Sequence, residues 1–155
     1  MNEISAILTI DRIDAAMTAS NKKALFQQLA IAAGRRLGVD AKLIAGSLNQ
    51  REKLGSTGFG NGAAIPHGRI EGLAQVFGFF ARLTSPVDYH SVDEMPVDLV
   101  FLLLSPPDAG ADHLKALAGV SRALRDRDTL AKLRGARSRD AIFALLAGIE
   151  SLHAA

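Results

Sequence analysis

The stretch Val97-Asp-Leu-Val-Phe-Leu-Leu-Leu104, closed by Ser105-Pro-Pro107, constrains the fold more than any other part of the chain. It is apolar almost without interruption and rich in residues that suit a pleated surface. It is far too short to span a bilayer, which needs ~20 residues. A strand of this character is buried on both faces, and a sheet buried on both faces needs helices on each side.

The flanking sequence supplies those helices. Ser20 is a candidate cap for a helix running to about Leu37, with Leu25, Leu29, Ala33 and Leu37 on one face and Gly38 as its stop. Asp40 is a candidate cap for a second, carrying Leu43, Ile44 and Leu48 and ending near Leu54 and Gly55. Beyond the apolar run, Ala111 to about Arg125 has helical spacing at Leu114, Leu117 and Leu124. Asp128 is placed to cap a short helix through Leu133. Ser138 is placed to cap a last one, with Ile142, Leu145, Leu146 and Ile149 inward. Between the two helical groups, Ala63–Ile65, Val76–Leu83 and Val87–Tyr89 read as strands, the first stopped by Pro66-His67-Gly68. Phe77, Phe79, Phe80 and Phe101 read as core. The expected architecture is α/β, with a single central mixed sheet flanked by helices on both faces.

At 155 residues the chain is expected to form one domain, residues 1–155. With 48% apolar residues and a formal charge of +2 it can bury a full core and is not a disordered chain. It has no cysteine, which excludes a disulfide framework, a thiol nucleophile and a cysteine metal site. Its four histidines show no HxxxH or HExxH spacing, so no metal site is expected. The Arg122–Arg139 cluster is interleaved with Asp126 and Asp128, and aromatics are only 5%. It reads as a solvated helix face, and no nucleic-acid partner is expected. Met1 to Ile10 lacks the basic start of a signal peptide, so no membrane insertion and a cytoplasmic location are the expectation.

The chemistry is concentrated in Arg51-Glu-Lys-Leu-Gly-Ser-Thr-Gly-Phe-Gly-Asn-Gly-Ala-Ala-Ile-Pro-His-Gly-Arg69. Its glycines do not make a nucleotide loop. GxxxxGK[ST] is absent, and a dinucleotide loop needs a strand before it and a helix after it, the reverse of the order here. His67 stands directly after Pro66 and before Gly68, held in direction yet uncrowded. Neutral imidazole is a nucleophile near pH 7, and glycine amides, Ser56, Thr57 and Arg51 could supply donors to an anion at its ring. Spacing alone leaves this reading level with that of a surface or capping histidine. His90 and His153 read as incidental.

Taken together, Arg51-Glu52, Gly55-Ser-Thr-Gly58, Gly60, Gly62, Ala64 and Pro66-His-Gly68 resemble the signature of the type-2 enzyme IIA proteins of the phosphoenolpyruvate-dependent phosphotransferase system. Pro96-Val-Asp-Leu-Val-Phe101, Leu103-Leu104, Pro106 and His113-Leu114 form a second matching block. The resemblance runs from Ile4 to about Leu146 and is nearest to the nitrogen-regulatory branch. It implies a mannitol-type enzyme IIA fold. It also implies a phosphotransferase, regulatory rather than metabolic, that needs no cofactor. His67 would accept a phosphoryl group from a histidine phosphocarrier protein. His113 and Arg51 would assist, with Ser56, Thr57, Gly58, Gly60 and Gly62 as further groups stabilising the phosphate. Regulated partners such as transporters or sensor kinases are the implied readers. The alternative is an enzyme IIA that passes phosphate to a sugar-specific IIB domain.

Overall fold

The computed structural model describes residues 3–148. One six-stranded mixed sheet organises them, built from β1 (Ile13–Met17), β2 (Gly58–Gly60), β3 (Ala63–Ala64), β4 (His67–Arg69), β5 (Phe77–Val87) and β6 (Val97–Ser105). The strand order is β1-β5-β6-β3-β2, with β4 also on β6. β5 and β6 are antiparallel, with Phe80 opposite Phe101, while β1 lies parallel to β5 and both β3 and β4 lie parallel to β6.

The period of two along β6 divides the core into two halves. Val100, Leu102 and Leu104 join α1 (Lys22–Leu37) and α2 (Ala41–Glu52) on one face. Leu99, Phe101 and Leu103 join α3 (Ala111–Arg125), α4 (Arg127–Gly135) and α5 (Arg139–Leu146) on the other. The expected strand buried on both faces is therefore present, and so are helices on both sides. Each large side chain removed from water here contributes roughly 1.5–3 kcal/mol, which makes β6 the axis of the fold. Ile4, Ile7 and Leu8 are also buried, so the N-terminal segment closes the α3 side of the core rather than extending away from it.

Caps explain the helix limits, and two differ from expectation. Asn21, not Ser20, starts α1, because its extended backbone lets its side chain accept from the Ala24 amide. Asp126, not Asp128, starts α4 in the same way, accepting from the Asp128 amide. Asp40 and Ser138 cap α2 and α5 as expected. Gly38 ends α1 at φ 68°, a left-handed turn that a residue with a Cβ resists. In α5 Ile142 and Leu146 are buried and Leu145 packs partly exposed, while Ile149 lies outside the described residues, as does His153.

The strand pattern shows three further corrections. β1 was not legible, because it is a short edge strand with an irregular register against β5. β5 runs through both Val76–Leu83 and the start of the next expected strand, absorbing Thr84-Ser-Pro86 where its register shifts against β6. Pro66 interrupts the edge without ending it. Its carbonyl still accepts from the Leu103 amide at 3.0 Å, and pairing resumes at His67 as β4.

Candidate functional site

Three elements converge where β4 and β6 end. β4 sets His67 beside Leu103 and Arg69 beside Ser105. After Ser105 the chain turns through Pro106-Pro107 and enters α3, which places His113 in that helix's first turn. α2 crosses β4 closely because Gly68 has no side chain, since a Cβ there would overlap Ser47 Oγ. Ser47 Oγ instead donates to the Arg69 carbonyl at 3.1 Å. One turn further along α2, Arg51 reaches the histidine. Arg51, Leu54, His67, Arg69 and His113 line an open depression of about 400 Å³.

The hydrogen bonds at His67 assign its protons. Nδ1 lies 2.8 Å from the Ile65 carbonyl, which can only accept, so Nδ1 carries the hydrogen. Nε2 is left with a lone pair, and it accepts from Arg51 Nε at 3.1 Å. Arg51 is fixed in turn by donating from Nη1 to the Gly55 carbonyl at 2.9 Å. The ring centroids of His67 and His113 are 5.8 Å apart and tilted by 52°. His113 is buried, with Nδ1 at 2.6 Å from Ser105 Oγ.

Burial is the chief cause that pushes His67 below the ordinary histidine value, opposed by the Ile65 hydrogen bond and deepened by Arg51 and Arg69. His113 is lowered as well, by burial first and then by Arg69 and His67. Both rings are neutral near pH 7. The depression thus presents two uncharged imidazoles among guanidinium groups, an arrangement suited to a multiply charged anion bonded to one of the rings.

The structure brings His67, His113 and Arg51 together, and it places the other expected residues elsewhere. Thr57 is buried, and its hydroxyl bonds the Glu52 carboxylate and, at 2.7 Å, Tyr89 Oη. Ser56 Oγ accepts from the Gly58 amide at 3.1 Å and stabilises the turn. Gly58, Gly60 and Gly62 do not line the depression. They sit in the β2–β3 hairpin, where other groups press on them: Ser91 and Tyr89 on Gly58, Asp93 on Gly60, and Arg134 and Asp98 on Gly62. Close approach explains Gly58, φ of 120° explains Gly60, and both causes act at Gly62, where φ is 81°.

Sequence reasoning missed four contributors. Arg69 stands two residues after His67, the spacing that puts side chains on one face of a strand, so period two could have found it. Ser105 had no such signal, because only the β6-to-α3 turn joins it to His113. Glu52 stands in the matched motif but was given no role there, and Lys22 was as hidden as Ser105. Lys22 Nζ lies 2.6 Å from Glu52 Oε2 and donates to the Tyr89 carbonyl at 3.0 Å, while Glu52 accepts from the Thr57 amide. That buried network ties the end of α2 to the loop carrying Gly55.

A mixed sheet covered on both faces, with an uncharged histidine aimed into a guanidinium-lined depression, defines a protein built to carry an anionic group on imidazole. The chain belongs to the family described as phosphoenolpyruvate-dependent sugar phosphotransferase system, EIIA 2, whose model matches residues 6–148. It is 48% identical over 144 residues to a nitrogen regulatory protein of Bradyrhizobium diazoefficiens, covering 93% of this chain and 94% of that protein. The crystal structure of the nitrogen regulatory protein IIA-Ntr from Neisseria meningitidis superposes with a TM-score of 0.88 at 35% identity, covering 92% of this chain and 98% of that one. The crystal structure of IIA mannitol from Escherichia coli shares the fold at 21% identity and a TM-score of 0.74, covering 90% and 98%. Among the described residues no helix is long and apolar enough to cross a membrane.

Proposed function

We propose that the chain is a regulatory phosphohistidine carrier. It accepts a phosphoryl group on Nε2 of His67 from a phosphorylated histidine phosphocarrier protein and signals by its phosphorylation state. The observation that carries this reading is the opposed pair of contacts on His67. The Ile65 carbonyl holds the proton on Nδ1, and the lone pair of Nε2 faces the open depression beside Arg51.

Transfer then needs no base. The phosphorus–nitrogen bond of the donor breaks as the bond to Nε2 forms, with the two imidazoles in line across phosphorus. Positive charge that develops on the ring is held against the Ile65 carbonyl, whose hydrogen bond to Nδ1 stays in place. Arg51 leaves the lone pair as the new bond forms, and its N–H groups meet the phosphoryl oxygens. Arg69 and His113 stand on the same wall. The modification adds about two negative charges to a chain of formal charge +2. A partner docking on this face would therefore read a local field shifted by about two negative charges. The chain acts in the cytoplasm as one enzyme IIA unit, residues 1–155, and regulated transporters or sensor kinases are the readers proposed.

Intact-protein mass tests the reading after incubation with phosphoenolpyruvate, enzyme I and the histidine phosphocarrier, at alkaline pH to preserve the phosphoramidate. One phosphoryl group on the wild type and none on His67→Ala is expected. No phosphate on the wild type, with the donor shown competent on another enzyme IIA, would overturn it. Onward transfer to the cysteine of a sugar-specific IIB domain would move the chain from regulation to sugar transport.

A further inference from the structure

His113 meets the depression from a second layer of the fold, and its proton is settled by the residue behind it. Ser105 is fully buried at the end of β6, and its Oγ lies 2.6 Å from His113 Nδ1. That Oγ has no other hydrogen-bond partner among the described residues. A serine hydroxyl carries one proton and must place it somewhere. If Nδ1–H donated to the serine, the hydroxyl proton would be left buried with no acceptor. If the serine donates to Nδ1, both groups are satisfied, and the single proton of the neutral ring resides on Nε2.

We infer that Ser105 is a positioning residue that holds His113 in the Nε2–H tautomer, turning it into a hydrogen-bond donor toward the group carried by His67. The two rings then hold opposite tautomers for opposite tasks. The Ile65 carbonyl keeps the proton of His67 on Nδ1 and frees Nε2 to bond phosphorus. Ser105 keeps the proton of His113 on Nε2, the nitrogen left for a ligand once the serine has taken Nδ1. A lone pair at that position would repel a phosphoryl oxygen, and an N–H attracts it. The low basicity of His113, set by burial, Arg69 and His67, leaves the choice between tautomers as the one that matters near pH 7. This inference rests on the phosphocarrier reading for its consequence but not for its geometry.

Long-range nitrogen–proton NMR of the imidazoles reads the tautomers directly in the unphosphorylated protein. The wild type should show His113 as Nε2–H and His67 as Nδ1–H. His113 as Nδ1–H, or as an even mixture, would overturn the inference. Ser105→Ala should give a mixture at His113 and slow single-turnover transfer to His67 by about tenfold at saturating donor, with the half-saturating donor concentration unchanged. Ser105→Thr, which keeps the hydroxyl, should retain the wild-type tautomer and recover the rate. A Ser105→Ala protein with wild-type tautomer and rate, or one that Ser105→Thr merely matches in slowness, would also overturn it. Should no variant accept phosphate, the wild type included, the carrier reading fails while the NMR still decides the role of Ser105.

Discussion

Arg51 Nε and His67 Nε2 stand 3.1 Å apart, so the arginine occupies the lone pair that would bond phosphorus in the proposed transfer. The same guanidinium is anchored to the Gly55 carbonyl at 2.9 Å, which keeps it beside the ring when that lone pair is used. Planarity and the fork of donors are needed for both tasks, and lysine has neither. Arg51→Ala should lower the single-turnover rate of phosphoryl transfer about 10²-fold, as loss of one preorganised donor does elsewhere. Arg51→Lys should recover only a minor part of it. Rapid-quench measurement of His67 phosphorylation checks both, and a lysine variant at the wild-type rate would refute the two-task role.

Acid should cost this protein stability through its paired histidines. Both His67 and His113 are lowered in the folded state, and the unfolded values are near ~6.5. Above that pH neither state binds the proton, and the stabilisation is complete. As pH falls through ~6.5 the unfolded chain takes up protons first, so stability declines until the folded values are passed. Urea midpoints should therefore drop between pH 7.5 and pH 5.5. His113→Asn should flatten part of that drop, and His67→Asn another part. For the same reason the acid limb of phosphoryl acceptance should lie below the value for free imidazole.

Glu52 is a buried carboxylate facing four partners: Lys22, the Thr57 amide and hydroxyl, and Tyr89. Its charge and burial also push Tyr89 far above the ordinary tyrosine value, burial first. Glu52→Ala takes the carboxylate from the Lys22 ammonium, which keeps the Tyr89 carbonyl, and leaves the Thr57 amide without its acceptor, a loss of ~1–3 kcal/mol. Glu52→Gln keeps the shape and should cost less. The double variant Glu52→Ala with Lys22→Met should be more stable than the sum of its single variants, because the cation that lost its carboxylate is gone. Denaturant titration reads all three. The rate of phosphoryl transfer should fall less than in Arg51→Ala, since Glu52 acts through the loop that carries Gly55.

What was legible in the chain follows the range of the forces involved. β6, the caps at Asp40 and Ser138 and the stop at Gly38 are local, and each was visible in a few adjacent residues. So was the resemblance that singled out Arg51, His67 and His113, because its motif falls in two short blocks, each of adjacent residues. β1 and β2 are strands only because β5 and β3 pair with them, and their own residues carry no such signal. The glycines of the hairpin suggested a phosphate cradle, since a run of small residues looks alike whether it admits an anion or a neighbouring side chain. Ser105 and Lys22 reach the site through turns and helix crossings, which no local pattern records.

Gly68 links the closeness of α2 to the chemistry of the site. A Cβ at this position would overlap Ser47 Oγ and stand 3.1 Å from Ser47 Cβ, so Gly68→Ala displaces the Ser47 hydroxyl and presses α2 away from β4. Such overpacking costs ~1–3 kcal/mol. It should also carry Arg51, one turn beyond Ser47, away from Nε2 of His67, and a displacement near ~1 Å can slow a positioned reaction as much as 10²-fold. Two outcomes are separable. If the glycine serves only stability, transfer per folded molecule stays at the wild-type rate. If it sets the reach of Arg51, transfer falls in protein that is still fully folded. Adding Ser47→Ala removes the nearer of the two obstructions and leaves the farther one, so the double variant should regain most of the rate. Pairing rapid-quench rates with the folded fraction for Gly68→Ala and for the double variant distinguishes the two, and the expected result is a slow, folded single variant rescued by the second substitution.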